Sequence, residues 1–233
     1  MELTKSKARL WSKLGSRAVF GMALLDLAES GVDFYAMSGD LVRSSGLSRF
    51  QEIFPERCIN MGIAEQNMIG VAGGMAKDGT PIFATSFAPF ITMRAAEQVR
   101  MNMGYMQLNI KTVGLGSGLV MAQLGNSHFG IEDVAVMRAI PNITVVSPAD
   151  CGEIVKAVEA ITQYKGPVYL RLTGGPGNPV VYAEEYDFVI GKAITLREGA
   201  DVAIVAAGTM VHTALAAAEL LAASGISVQV VDM

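Results

Sequence analysis

Histidine and cysteine are scarce in this 233-residue chain, with two of each. Two cysteines, Cys58 and Cys151, are too few for a disulfide framework and suit a reducing compartment, so a cytoplasmic location is expected. Two histidines, His128 and His212, leave the commonest acid/base side chain in short supply. An excess of positive charge is missing as well: 18 Lys and Arg against 22 Asp and Glu give a formal net charge of -4. That balance gives no reason to expect a nucleic-acid or anionic-membrane partner. The opening residues Met1-Glu2-Leu3-Thr4-Lys5 are polar and lack the apolar stretch of a secretory signal. No apolar run approaches the roughly 18 residues of a membrane span, because Gly, Ser, Asp or Arg interrupts each one. There is no P-loop, no GxGxxG at a strand–helix turn, no CxxC, no HExxH, no GxSxG and no evident metal cluster.

What is present is apolar: 51% of residues against 17% charged, ample for a large core and contrary to disorder. Short β-rich runs at Phe34–Ser38, Cys58–Met61, Ile82–Ser86, Ile110–Gly114, Thr144–Ser147 and Val168–Thr173 predict strands. Between them, helical spacing of apolar residues marks Arg17–Leu27, Glu65–Ala76, Thr92–Met103 and Asp150–Tyr164. The strands are apolar throughout instead of alternating, as in a parallel sheet covered on both faces. An α/β fold with a doubly wound, mainly parallel sheet is expected, with ligands beyond the carboxyl ends of its strands. Gly174-Gly175-Pro176-Gly177-Asn178-Pro179 is a breaker cluster. It predicts a first domain over residues 1–178, a linker over 179–186 and the start of a second α/β domain over 187–233. In that second part Val202–Ala207, a helix from about Met210 to Ala223, and Ser227–Val231 form one βαβ unit. One such unit cannot bury both faces, so a truncated second domain is expected.

Few residues carry chemistry. His128 lies in the small-residue loop Leu124-Gly125-Asn126-Ser127-His128-Phe129-Gly130, after a strand, where such a sheet places ligand contacts. It could equally hydrogen-bond only its own loop. Glu65 opens the apolar, glycine-rich helix that follows Gly62-Ile63-Ala64. It is either a helix cap favoured by the dipole or a strong acceptor facing a ligand in a dry site. Phe87 and Phe90 follow the strand ending at Ser86, as core residues or as a platform for a planar heterocycle. Arg17, Arg94, Arg100, Arg138 and Arg171 either bind phosphate or pair with carboxylates.

Taken in order, four separated stretches resemble the pyrimidine-binding half of thiamine-diphosphate enzymes of the transketolase group. Ser38-Gly39-Asp40-Leu41 is similar to "SADL", and Gly62-Ile63-Ala64-Glu65-Gln66-Asn67-Met68 to the "GI-x-E" helix. Thr85-Ser86-Phe87-Ala88-Pro89-Phe90 is similar to "TF-x-x-F". Gly125-Asn126-Ser127-His128, then Glu132-Asp133 and Arg138-Ala139-Ile140-Pro141-Asn142, resemble "GPTH…E…LR-x-xPN". The likeness spans about 160 residues, from about Arg17 to Thr173. It departs where a family histidine falls on or near Gly116, where the aspartate before "GPTH" is Leu124, and where the terminal phosphate-binding arginine has only Arg171 as a candidate.

The resemblance implies thiamine diphosphate as cofactor, with Glu65 holding a proton on its aminopyrimidine ring. Phe90 would stack on that ring, Phe87 line the pocket, and Leu41 act as the wedge beneath the bent cofactor. His128 would serve as proton donor or acceptor near the reacting carbonyl, with Asp40, Arg17 and Ser44 at the substrate. The group's "GDG…N" diphosphate motif is absent from this chain. The resemblance therefore implies a split enzyme whose partner, an N-terminal-type transketolase subunit, brings the diphosphate site and Mg²⁺ in an α2β2 assembly. A two-carbon ketol unit would pass between sugars or sugar phosphates. The β subunit of a 2-oxo-acid dehydrogenase, a deoxyxylulose-phosphate-synthase-like enzyme and a non-catalytic scaffold of the same fold are the alternatives.

Overall fold

A computed structural model describes residues 1–233. Its elements run α1 (Lys5–Leu14), α2 (Ser16–Glu29), β1 (Tyr35–Ser38), α3 (Ser48–Ile53), β2 (Cys58–Asn60) and α4 (Glu65–Met75). Then follow β3 (Ile82–Phe87), α5 (Ala96–Val99), β4 (Ile110–Leu115), α6 (Asp133–Ala139), β5 (Thr144–Val146), α7 (Cys151–Gln163) and β6 (Val168–Arg171). The chain closes with β7 (Ile194–Arg197), β8 (Val202–Ala206), α8 (Met210–Ala222) and β9 (Val228–Asp232). Each strand expected from composition forms, displaced by at most two residues at an end.

β1 to β6 make one parallel sheet in the order β2-β1-β3-β4-β6-β5. β3 and β4 are buried along their whole length, which is why their sequences do not alternate. Phe20, Phe34, Phe83, Val113 and Leu170 pack on one face beneath α1, α2 and α7. Met68, Ile69, Ile91, Val99, Met103 and Ile110 pack on the other, beneath α4 and α5. The edge-on pair Phe34–Phe83, with centroids 5.4 Å apart, ties strand to strand inside the first layer. No helix is long and apolar enough to cross a membrane.

Two local expectations change. The helix expected over Thr92–Met103 is widened, with π-turns at Phe90–Arg94 and Arg100–Tyr105 around α5. Its buried positions Ile91, Ala95, Val99 and Met103 recur every fourth residue, a longer repeat than the 3.6 of an α-helix. Beyond the linker, β8 and β9 pair in parallel across α8 as expected, and β7 adds an antiparallel neighbour to β9. This second sheet docks through Tyr182, whose hydroxyl donates to Asp232 Oδ2 at 2.7 Å, and through Gly208 N donating to Ser147 O at 3.0 Å. Asp150 caps α7 by accepting from Glu153 N at 2.8 Å. Its second oxygen accepts from Val181 N at 2.6 Å and Tyr182 N at 2.8 Å, fastening the linker to the first sheet.

Candidate functional site

The strand order reverses between β1 and β3: β2 lies outside β1 on one side, β4 beyond β3 on the other. Beyond the carboxyl ends at such a switch point the following connections part and leave a crevice. The turn after β1 carries Gly39-Asp40-Leu41, and the end of β3 carries Ser86 and Phe87. Here Asp40 adopts a left-handed φ of 61°, uncommon for a non-glycine residue. Asn60, at the end of β2, holds that turn by donating from Nδ2 to Asp40 Oδ1 at 3.0 Å and accepting from Asp40 N at 3.1 Å. Gly39 packs beside both groups: a Cβ there would stand 3.4 Å from Glu65 Oε1 and from Ser86 Oγ, an ordinary contact distance.

Glu65 is the first residue of α4 and is 2% exposed. Its position at the helix start places the carboxylate where the helix dipole stabilises negative charge. Oε1 accepts from Ser86 Oγ at 2.8 Å, and Oε2 accepts from Arg94 Nη1 at 3.0 Å. A carboxylate oxygen can accept two bonds, so each retains capacity for a ligand donor. Arg94 also lays its guanidinium over Phe90, 3.9 Å from the ring centroid. Phe90 meets Phe87 edge-on at 6.0 Å, and the His128 ring stands 5.2 Å from Phe87 and 5.1 Å from Phe90. His128 ends a 3-10 turn over Asn126–His128, with Ser127 Oγ 3.0 Å from its Nδ1. Glu65, Phe87, Phe90 and His128, four residues from three distant stretches of sequence, thus form one continuous set of contacts. The chemical means assembled there are a dry carboxylate, an aromatic wall and an imidazole.

Leu41 is half-buried on the same turn as Asp40 and packs against the main core, its amide donating to Ser38 Oγ at 2.9 Å. Arg17 and Ser44 stand elsewhere. They line a cleft of about 300 Å³ together with Arg43, the start of α2 and Gly175-Pro176, and this cleft shares no residue with the Glu65 cluster. A groove of about 860 Å³ lies at the opposite, amino-terminal edge of the sheet, around Lys77, Asn109, Asn142 and Lys165, and holds none of the expected site residues. The arginine considered for phosphate, Arg171, is engaged within the chain: its Nε donates to the buried Asp133 Oδ2 at 2.8 Å. Of the two roles open to Arg94, phosphate binding or pairing with a carboxylate, the structure shows the pairing, with Glu65. Ser86, Asn60 and Arg43 are residues that the sequence reading does not single out. Ser86 lies inside a quoted motif, and Arg94 stands one helical turn after Phe90, a spacing that puts both on one helix face.

The family description "Transketolase, pyrimidine binding domain" matches residues 12–175, and "Transketolase, C-terminal domain" matches residues 191–233. The chain belongs to the transketolase family. Among transketolase relatives, the 6-deoxy-6-sulfo-D-fructose transketolase subunit of a Clostridium species is 41% identical over 90% of this chain and 65% of its own length. An apulose-4-phosphate transketolase subunit from Phocaeicola vulgatus is 36% identical over 94% of this chain and 70% of its own length. A solved structure described as a split gene transketolase, an inactive β4 tetramer, superimposes with a TM-score of 0.85 at 41% identity. That match covers 94% of this chain and 71% of the other. The chain thus spans about two thirds of the transketolase subunits it resembles. Thiamine diphosphate dependence is general in the family.

Proposed function

We propose that this chain is one subunit of a split, thiamine-diphosphate-dependent transketolase that moves a two-carbon ketol unit between sugars or sugar phosphates. The observation that carries the reading is Glu65: a carboxylate 2% exposed at the head of α4, joined through Ser86 and Arg94 to the Phe87–Phe90–His128 wall. Those residues fit the pyrimidine half of the cofactor, since the carboxylate keeps acceptor capacity and the aromatic wall suits a flat ring. When bound, thiamine diphosphate supplies the nucleophilic carbon that takes up the ketol unit.

This chain's residues would then act as follows. Glu65 holds a proton at the pyrimidine ring nitrogen, in a water-poor site where that bond is stronger than in solvent. Phe90 would stack on the ring, Phe87 would line the pocket, and Leu41 would support the cofactor from the turn after β1. His128 gives or takes a proton at the substrate carbonyl or hydroxyls, and Asp40 contacts a hydroxyl. Arg17 and Ser44 take the far end of the substrate. Arg17 and Arg43 make no ion pair within the chain, so their cleft favours an anionic end group. No three His, Cys, Asp or Glu side chains converge to hold a metal. We assign Mg²⁺ and the diphosphate to an N-terminal-type partner subunit, in an α2β2 assembly. The division at residues 1–178, 179–186 and 187–233 belongs to the same reading.

Phe90→Ala should weaken cofactor retention about tenfold, through loss of ring stacking and contact area. Because Phe90 is half-buried, the melting temperature should fall only a few degrees. Equal binding by this variant and the parent would remove Phe90 from the pocket. The reading as a whole is tested by calorimetry of thiamine diphosphate with Mg²⁺, first on this chain, then on its mixture with a diphosphate-domain subunit. Silence followed by tight binding is expected. Tight binding to the lone chain would overturn the assignment of diphosphate and metal to a partner.

A further inference from the structure

The loop that presents His128 is fixed at its base and little elsewhere. Gly118 and Gly130 close it with two backbone bonds, Gly118 N to Gly130 O at 2.7 Å and Gly130 N to Gly118 O at 3.0 Å. Inside, the amides of Ala122, Leu124, Gly125, His128 and Phe129 all bond carbonyls of the loop itself. Leu119 and Leu124 are exposed, while Met121 lies in the main core and Val120 packs against it at the loop's first turn. What fixes the base is a buried charge pair. Asp133, at the start of α6 and 1% exposed, accepts at Oδ2 from Arg171 Nε at 2.8 Å and from the Tyr169 hydroxyl at 2.6 Å. Arg171 then donates from Nη2 to Gly130 O at 3.3 Å. Gly130 is pressed against Ala88, where a Cβ would come within 2.7 Å of the Ala88 Cβ. Ala88 lies between Phe87 and Phe90 in sequence, so the position of Gly130 sets where His128, two residues earlier, meets both rings.

We propose that Asp133 and Arg171 are positioning residues for His128: a buried fork that clamps the Gly130 carbonyl and so sets the imidazole against Phe87 and Phe90. The inference rests on the reading of His128 as a residue of the transketolase site. It gives Arg171 a role inside the chain instead of on a phosphate. The guanidinium geometry is essential to it, since one planar group reaches a carboxylate and a carbonyl at once, whereas an ammonium on a different stem does not reproduce that fork.

The test uses Arg171→Lys, which keeps a positive charge beside Asp133 and loses the fork. With only two histidines in the chain, the imidazole signals of His128 and His212 can be followed separately by NMR, without cofactor or partner. In Arg171→Lys the contacts of His128 with the Phe87 and Phe90 rings should weaken and its ring-current shift move toward that of a free imidazole, with His212 unchanged. Asp133→Asn keeps an acceptor for Arg171 and Tyr169 without the charge, and should give the same change at smaller amplitude. With the partner subunit and thiamine diphosphate, Arg171→Lys should lower kcat on the order of tenfold with cofactor affinity unchanged. Added to His128→Ala it should cost nothing further. An unaltered His128 signal in both variants, or an equal loss of kcat with and without His128, overturns the proposal. If the reconstituted enzyme has no transketolase activity at all, the functional reading fails while the NMR result still decides the clamp.

Discussion

Glu65→Gln should lower turnover of the reconstituted enzyme by about three orders of magnitude, the range expected when an acid/base group is removed. The replacement preserves shape and little else. A glutamine oxygen can still accept from Ser86, but its amide nitrogen would face Arg94 Nη1, donor against donor, and it cannot hold a proton for the pyrimidine ring. Stability should change little. Arg94 is 45% exposed and can turn to water, and the neutral amide removes a carboxylate from a buried position. The loss should therefore appear in kcat with the melting temperature within a few degrees of the parent. Turnover within tenfold of the parent would remove Glu65 from the proposed mechanism. Glu65→Asp is the natural companion: it keeps the charge but withdraws it by one methylene, and an intermediate rate is expected because the required contact is short and directional.

Much of this arrangement is legible in the sequence. Glu65, Phe87, Phe90 and His128 all lie within motifs, Phe87 at the end of a strand and the other three in the connections that follow one. The relations among them are not. Arg94 meets Phe90 through local helical spacing, but that it also reaches Glu65 depends on β2 and β3 flanking β1, which only the sheet order shows. In Glu132-Asp133 either carboxylate could have been the buried one, and the register of α6 decides it: Glu132 is exposed and Asp133 buried. Helix α1 is hard to read in the sequence because its lysines and arginine mask a narrow apolar stripe, in which only Ala8 and Trp11 are buried. The first strand after the linker is hidden for a similar reason, since Ile194–Arg197 is half exposed and mixes charge with apolar residues. The cleft proposed for the substrate's far end is the least legible feature, because Arg17, Ser44 and Arg43 come from loop and helix-start positions that follow no periodicity.

The seam between the two sheets should make stability fall as pH rises across the neutral range. Glu153, on α7, lies 5% exposed, and burial first and the charge of Asp232 second push its carboxyl from an ordinary 4.5 up to about 8. Asp150 and Asp232 are raised too, burial again the leading cause, and the buried hydroxyls of Tyr182 and Tyr186 complete the group facing Glu153. A carboxyl with a raised folded-state pKa binds its proton more tightly in the folded chain. Its contribution is therefore fully present below pH 4.5 and is lost as pH climbs to about 8. The loss is on the order of a few kcal/mol, one proton being shared between the facing carboxyls of Glu153 and Asp232. Lys111 acts in the opposite sense over a higher window. Burial draws its ammonium down from 10.5 to about 7, against acceptor bonds to Asn109 Oδ1, Tyr164 O and Gly166 O. Its contribution therefore rises between those two values. Glu153→Gln separates the two effects, because glutamine can still accept from Ala149 N as Glu153 does and never becomes charged beside Asp232. In urea melts the variant should match the parent near pH 5 and exceed it by about 2–3 kcal/mol near pH 9, where the parent must ionise two facing carboxyls. Parallel pH profiles for the two proteins would show that Glu153 does not carry the shared proton at this seam.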